Sequence, residues 1–243
     1  MAAVPVGTVI VAAGGWWWGA LIAAFFSSSS WLSRRYPHPA GHTTQPSRGS
    51  ERDVVQVLAN GAIAALIAAS SPYLPPFARR HRYPAFAGAL AAAAADTWAT
   101  EIGAGSRSAP RLITTGRVVP PGTSGGVTRR GTAGALAGAS FLGILAAVGP
   151  GEGRHERRAR TIGCTALAGV AGAMTDSLLG ATLQAAYQCP ICGATLEHSR
   201  HCDTDAVLVR GFPAVTNDLV NLAATGTGAV AATGISWAVD RYH

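Results

Sequence analysis

Positive charge in this chain is confined to stretches between or beside long apolar ones. Six apolar runs follow one another, and every arginine lies between them or at their ends. As helices, runs of about 20 residues match the hydrocarbon thickness of a bilayer. They cover Thr8 to Leu32, Val54 to Ser71, Ala85 to Ala104, Gly131 to Val148, Thr161 to Gln184 and Asp218 to Val239. The pattern predicts an all-α, polytopic membrane protein of about six transmembrane helices, with residues 1–243 as a single integral membrane domain. The many alanines and glycines suit close packing of helices through small residues. Trp16, Trp17, Trp18 and Trp31 are expected at the membrane–water interfaces.

Composition supports this reading. Charged residues make up 13% of the chain, against about 25% in soluble proteins. The net charge of +7 is carried by arginine alone, since the sequence has no lysine. A nucleic-acid face would need a basic stripe with interleaved aromatics, so the lipid bilayer is the expected partner and nucleic acid is not. The first run has no basic stretch before it and continues to Phe26, which reads as a first span rather than a cleaved signal. Six spans put both termini on one side. The loops after the first, third and fifth runs then hold eleven arginines against eight elsewhere, which predicts that those three loops are cytoplasmic. The stretch from Tyr36 to Ser50, rich in Pro, His, Thr and Ser, reads as a loop.

Four acids fall in or at the edges of the apolar runs: Asp96 and Glu101 in ADTWATE, Asp176 in MTDSLLG and Asp218 in TNDLVN. A carboxylate at the centre of a membrane helix costs about 3 kcal/mol on insertion scales, so something must offset the set. Protonation or pairing with arginine is one answer. A shared cation is the better one, because Asp, Glu, Thr and Asn oxygens suit Mg²⁺, which also takes substrate phosphates. Asp96 and Thr100 are four apart and share a helix face, whereas Glu101 is rotated about 140° from Asp96. Asp96 and Asp176 are therefore the expected Mg²⁺ ligands, with Glu101 one shell out.

The loop after the third run reads SRSAPRLITTGRVVPPGTSGGVTRRG. Gly122, Gly125 and Gly126 would let backbone N–H groups close round an anion. Thr123 and Ser124 supply hydroxyls, and Arg111 or Arg117 could clamp phosphate oxygens bidentately. The loop has no P-loop lysine and follows no strand, so composition alone leaves a phosphate cradle and an ordinary interhelical loop both open. Gln56 and Asn60 are four apart in VQVLANG, and Asn217 and Asn221 flank Asp218 in the last run. These polar residues could contact substrate or stitch helices together.

Residues 185–216 form a predicted cytoplasmic loop containing CPICGATLEHSRHC. Cys189 and Cys192 make a C-x-x-C knuckle, followed by His198, His201 and Cys202. Tetrahedral zinc wants four such ligands, which predicts a structural Zn²⁺ completed by Cys202 and one of the two histidines. Adjacent His201 and Cys202 are not expected to ligate together. Free thiols in a reducing cytoplasm are the alternative. No βαβ pattern surrounds the motif, which argues against a thioredoxin-type role.

In this order, VQVLANG, ADTWATEIG, PRLITTGRVVPPGTSGGVT, DSLLGATLQ and TNDLVN resemble the integral membrane family that includes the plant phytyl-phosphate kinases. The resemblance covers roughly Asp53 to Leu222. It implies a membrane enzyme that phosphorylates an isoprenyl monophosphate, of phytyl or geranylgeranyl type, with a nucleoside triphosphate. A helix aspartate followed by a glycine-rich, basic loop is also similar in layout to CTP-dependent dolichol kinases and phosphatidate cytidylyltransferases. That likeness implies Mg²⁺ on Asp96 and Asp176, phosphates on the Arg111 to Gly126 loop, and CTP or ATP as donor. The membrane implied is a prokaryotic inner membrane. A lipid cytidylyltransferase and a transporter with intramembrane carboxylates are the competing classes, the latter expecting its acids near the bilayer midplane.

Overall fold

The structure, a computed structural model, describes residues 3–36, 54–149 and 155–241. Beyond Tyr36, the loop expected up to Ser50 lies outside these residues. The helices are α1 (Ala3–Gly14), α2 (Trp16–Arg35), α3 (Val54–Ala69), α4 (Pro76–Arg79), α5 (Arg82–Ala104), α6 (Arg129–Ala147), α7 (His155–Thr182) and α8 (Asn217–Arg241). Five of the apolar runs stand as α3, α5, α6, α7 and α8, within a few residues of the expected ends. Among the described residues, α6, α8 and Arg157–Thr182 of α7 are long and apolar enough to cross a membrane.

The first run departs from expectation. It breaks at Gly15, whose φ of 87° is open to glycine but strained for other residues. Val6 of α1 and Ile22 of α2 both lie against Gly61 of α3, and Val11 lies against Gly19, so α1 folds back along α2. A helix of 12 residues is about 18 Å long, too short for a bilayer core of about 30 Å. The run is a helical hairpin rather than one continuous span. Hydropathy missed the break because Gly14 and Gly15 sit inside an otherwise unbroken apolar stretch.

The all-α expectation also needs correction, since short antiparallel sheets cap one end of the bundle. Strands β1 (Arg111–Leu112) and β2 (Gly126–Val127) pair between α5 and α6. Between α7 and α8 come β3 (Ala186–Gln188), β4 (Thr195–Leu196), β5 (Arg200–His201), β6 (Thr204–Asp205) and β7 (Val207–Arg210). They form a sheet of order β4-β3-β7 and a β5–β6 hairpin.

Helix α5 is central because it is thin. From Phe86 to Ala95 every residue is buried, and seven of those ten are alanine. Glycines of the surrounding helices rest directly on it: a Cβ on Gly138 of α6 would lie 2.7 Å from Ala94 O, and one on Gly134 would lie 2.7 Å from Trp98 O. Gly172 of α7 meets Ala92 of α5 and Ala224 O of α8 in the same way. Small residues thus bring backbones close enough for dispersion to hold helices that lipid would not drive together. Larger side chains, including Phe25, Phe86, Leu90 and Leu142, fill the space towards α2. The Trp18 ring stacks on Phe86 at 4.2 Å with the Arg82 guanidinium 4.7 Å away, so it belongs to this core, whereas Trp16 and Trp31 are exposed.

Contacts at the helix ends sort the loops. At one end the Tyr83 hydroxyl donates to Ala146 O at 2.7 Å, and His81 Nδ1 lies 3.1 Å from Ser236 Oγ. At the other, Ser33 donates to Glu101 Oε1 at 2.5 Å and Ser124 donates to Glu197 Oε1 at 2.7 Å. The chain segments following α2, α5 and α7 therefore gather at the same end.

Candidate functional site

Asp96 lies eight residues before the end of α5, and Asp176 six before the end of α7. At 1.5 Å per residue these positions are about 12 and 9 Å below the end where the loops gather. The two helices touch through Gly169 and Gly172 against Ala91 and Ala92, and that close approach brings the two carboxyl groups within hydrogen-bonding reach. Asp176 Oδ2 is buried without a hydrogen-bond partner. Two adjacent carboxyls, one with a buried oxygen free to accept, call for a shared proton or a cation. The donor set fits Mg²⁺.

The glycine loop closes over this end of α7. Gly125, at φ 81°, is seated so tightly that a Cβ would strike the backbone of Ala181. Its own fold is held by Ile113 N–H donating to Gly125 O and Gly126 N–H donating to Thr123 O. Glu197, from the segment joining β4 and β5, reaches across to it. Its Oε1 accepts from Ser124 Oγ at 2.7 Å and from Gln184 Nε2 at 2.9 Å. Gln184 is itself buried and also reaches Ser124 Oγ at 3.3 Å. Arg210, at the end of β7, donates to Gly180 O at 2.9 Å and Ser124 O at 3.3 Å. Burial pulls its guanidinium below the usual value, and the neighbouring Glu197 carboxylate works against that. Thr123, Ser124, Glu197 and Arg210 share the wall of a cavity of about 230 Å³ with apolar Ala186, Leu196 and Val209.

Sequence reasoning missed Glu197, Gln184 and Arg210. Gln184 ends the DSLLGATLQ stretch without a role of its own being read there, while an acid within a cysteine-rich loop and one of its two arginines look like solvated charge until the loop is folded onto the helices.

Other expected residues fall elsewhere. Glu101 is buried and accepts from Ser33, on the α2 side of α5. Thr100 is exposed. Arg111 donates to Gly116 O at 2.8 Å and so braces its own turn, while Arg117 and Gly122 are exposed in the same loop. Asn60 is buried on α3 and Asn221 on α8; Asn217 and Asp218 are half-buried at the start of α8. The Gln56 side chain lies outside the described residues.

The second cluster is local. The ligand atoms of Cys189, Cys192, His201 and Cys202 all lie within 4.8 Å of one another. His201 Nδ1 is 3.4 Å from Cys192 Sγ and 3.2 Å from Cys202 Sγ. His201 and Cys202 are thus brought together despite their adjacency, and His198 is not in the group. The reason is the tight β5–β6 turn, where Cys202 (φ 49°) and Asp203 (φ 56°) are both left-handed. In the knuckle, Gly193 at φ 71° lets the chain double back, with its N–H donating to Cys189 O. The Cys192 backbone N–H holds the Cys189 thiol down to about 6, although burial opposes it. Burial and the neighbouring thiols push Cys202 up to about 11. Three thiols so close cannot all ionise without a cation among them, and the N/S donor set fits tetrahedral zinc.

Residues 1–229 match the family described as integral membrane protein DUF92, and the chain belongs to that family. It is 32% identical over 160 residues to Protein PGR of Arabidopsis thaliana, covering 59% of this chain and 56% of that protein. It is 35% identical over 133 residues to an uncharacterized membrane protein of Methanocaldococcus jannaschii, covering 55% and 52% respectively. The chain therefore spans about half the length of these curated relatives. No solved structure matches it.

Proposed function

We propose that this DUF92 membrane protein is a Mg²⁺-dependent phosphotransferase that uses CTP or ATP to convert an isoprenyl monophosphate, of phytyl or geranylgeranyl type, to the diphosphate. The observation that carries the reading is the contact of Asp96 with Asp176, with an unpartnered buried oxygen, at the end of the bundle covered by the glycine loop. Phosphoryl transfer asks a protein for positioning and charge compensation more than for covalent chemistry.

In this reading α2, α3, α5, α6, α7 and α8 cross a prokaryotic inner membrane, with the capped end cytoplasmic. Asp96 and Asp176 would hold Mg²⁺, which supplies neutralisation of the triphosphate and of the charge that develops in transfer. Backbone N–H groups and hydroxyls around Thr123 and Ser124 would orient phosphate oxygens, with Arg117 exposed nearby as a donor. The isoprenyl chain would lie along the alanine- and glycine-rich helices. An oxygen of the acceptor monophosphate attacks the γ-phosphorus, and the bond to the leaving nucleoside diphosphate breaks. The acceptor is already anionic, so no general base is required; Glu101, hydrogen-bonded to Ser33, is spared that task. Zinc at Cys189, Cys192, His201 and Cys202 would be structural, since four protein ligands leave no open position.

The grouping of Glu101, Asp218 and the glycine loop at the capped end favours an enzyme over a transporter, with Asp176 six residues and Asp96 eight residues below that end. The test is transfer from radiolabelled CTP or ATP to phytyl, farnesyl and geranylgeranyl phosphates by detergent-purified protein with Mg²⁺. Diphosphate that disappears in Asp96→Asn establishes the kinase. A nucleotide-linked lipid would make it a cytidylyltransferase instead, and no product from any acceptor would overturn the enzyme reading.

A further inference from the structure

We infer that Glu197 is a positioning residue through which the Cys/His module sets the conformation of the glycine loop, so that metal binding at the module governs the order of a loop that contains none of its ligands. The inference deepens the proposed function by giving the same site a metal-dependent control, and it rests on that reading only for its consequence on activity.

Among the described residues, side-chain hydrogen bonds between module and loop converge on Ser124. Ser124 is gripped from the module at both of its ends: Glu197 takes its hydroxyl at 2.7 Å, and Arg210 donates to its carbonyl at 3.3 Å. Gln184, at the start of the module, bonds both Glu197 and Ser124 and closes a triangle of side chains. A hydrogen bond to a charged acceptor is among the stronger kinds, and a buried one costs its full desolvation when a partner is withdrawn.

What holds Glu197 in place is equally specific. It follows β4, which is registered on β3 through Tyr187 opposite Leu196 and Gln188 opposite Thr195. Cys189 directly follows β3, Cys192 precedes β4, and His201 lies four residues beyond Glu197. Glu197 is thus bracketed by metal-ligating residues on both sides in sequence. Strands this short do not hold a register unaided. A cation drawing the three thiols and His201 together fixes both flanks at once. Without it nothing draws the two flanks together, and the segment carrying Glu197 is freed. The coupled element is the Glu197–Ser124 contact, made in one state and broken in the other.

The test uses full-length protein in nanodiscs and reads amide hydrogen exchange at Ile113 and Gly126, whose N–H groups close the loop onto Gly125 O and Thr123 O. Removing bound metal with a chelator should speed exchange at these amides about ten-fold, the loss of roughly one charge-assisted hydrogen bond, and restoring Zn²⁺ should reverse it. Glu197→Ala should give the same acceleration with metal content and the absorption spectrum of the Co²⁺-substituted module unchanged. Glu197→Gln, whose amide oxygen still accepts from Ser124 and Gln184, should restore most of the protection. Unchanged exchange on metal removal would overturn the inference, as would a Glu197→Ala protein that loses its metal, since that would make Glu197 part of the module's own fold. These readouts need no substrate, so the inference can fail while the kinase reading stands, and the reverse.

Discussion

The two clusters of candidate ligands are built in opposite ways. Asp96 and Asp176 are 80 residues apart, on two helices, and meet because glycine and alanine let those helices touch. Cys189, Cys192, His201 and Cys202 come from 14 consecutive residues and meet because two tight turns, with left-handed Gly193, Cys202 and Asp203, fold the segment on itself. The first cluster is set by packing of the whole bundle and the second by local backbone geometry. A site of the first kind tolerates little change in distant helices. One of the second kind can form or come apart while the bundle stays intact.

Mutations separate the two clusters. The largest expected effect is on activity: Asp96→Asn or Asp176→Asn should each reduce phosphoryl transfer to below about 1%, with melting temperature and metal content of the Cys/His module retained. Loss of that metal in either variant would show that the clusters are not separable in this direction. Next, Cys192→Ser should abolish stoichiometric zinc, read by elemental analysis, and lower the melting midpoint by about 5 °C. The helix circular dichroism should remain, because the close helix–helix contacts of the bundle lie outside the module.

A smaller effect tests the packing. Gly172→Ala places a methyl group against Ala92 and the carbonyl of Ala224, and overpacking of this kind costs about 1–3 kcal/mol. It should reduce transfer by separating α7 from α5 while leaving zinc content unchanged; full activity would mean that the acid pair does not need the close approach. The smallest effect expected is for Thr128→Ala. Its hydroxyl caps α6 by accepting from Gly131 N–H at 2.9 Å, a bond worth about 1 kcal/mol, and its loss should lower the melting midpoint without altering either cluster.

Much of this was legible in the chain. Apolar runs separated by arginine located α3, α5, α6, α7 and α8, because burying or immersing a helix in lipid requires an unbroken apolar length. The C-x-x-C spacing with later His and Cys was readable for a different reason: a knuckle needs only nearby residues and a glycine. Helix periodicity also separated Glu101 from Asp96, and the structure places Glu101 against Ser33 of α2.

The remainder depended on contacts between distant segments. Gly15 breaks the first run only because Val6 and Ile22 can both pack on Gly61 once the chain turns. Glu197, Gln184 and Arg210 acquire their meaning from Ser124, at least 60 residues away in sequence. Hydropathy and ligand spacing are properties of neighbouring residues, so a membrane helix bundle, its candidate acids and a candidate metal knuckle can be read from the chain alone. Which acids touch, which histidine joins the thiols and how the module grips the glycine loop are properties of packing and turn geometry, which exist only once distant segments are folded together.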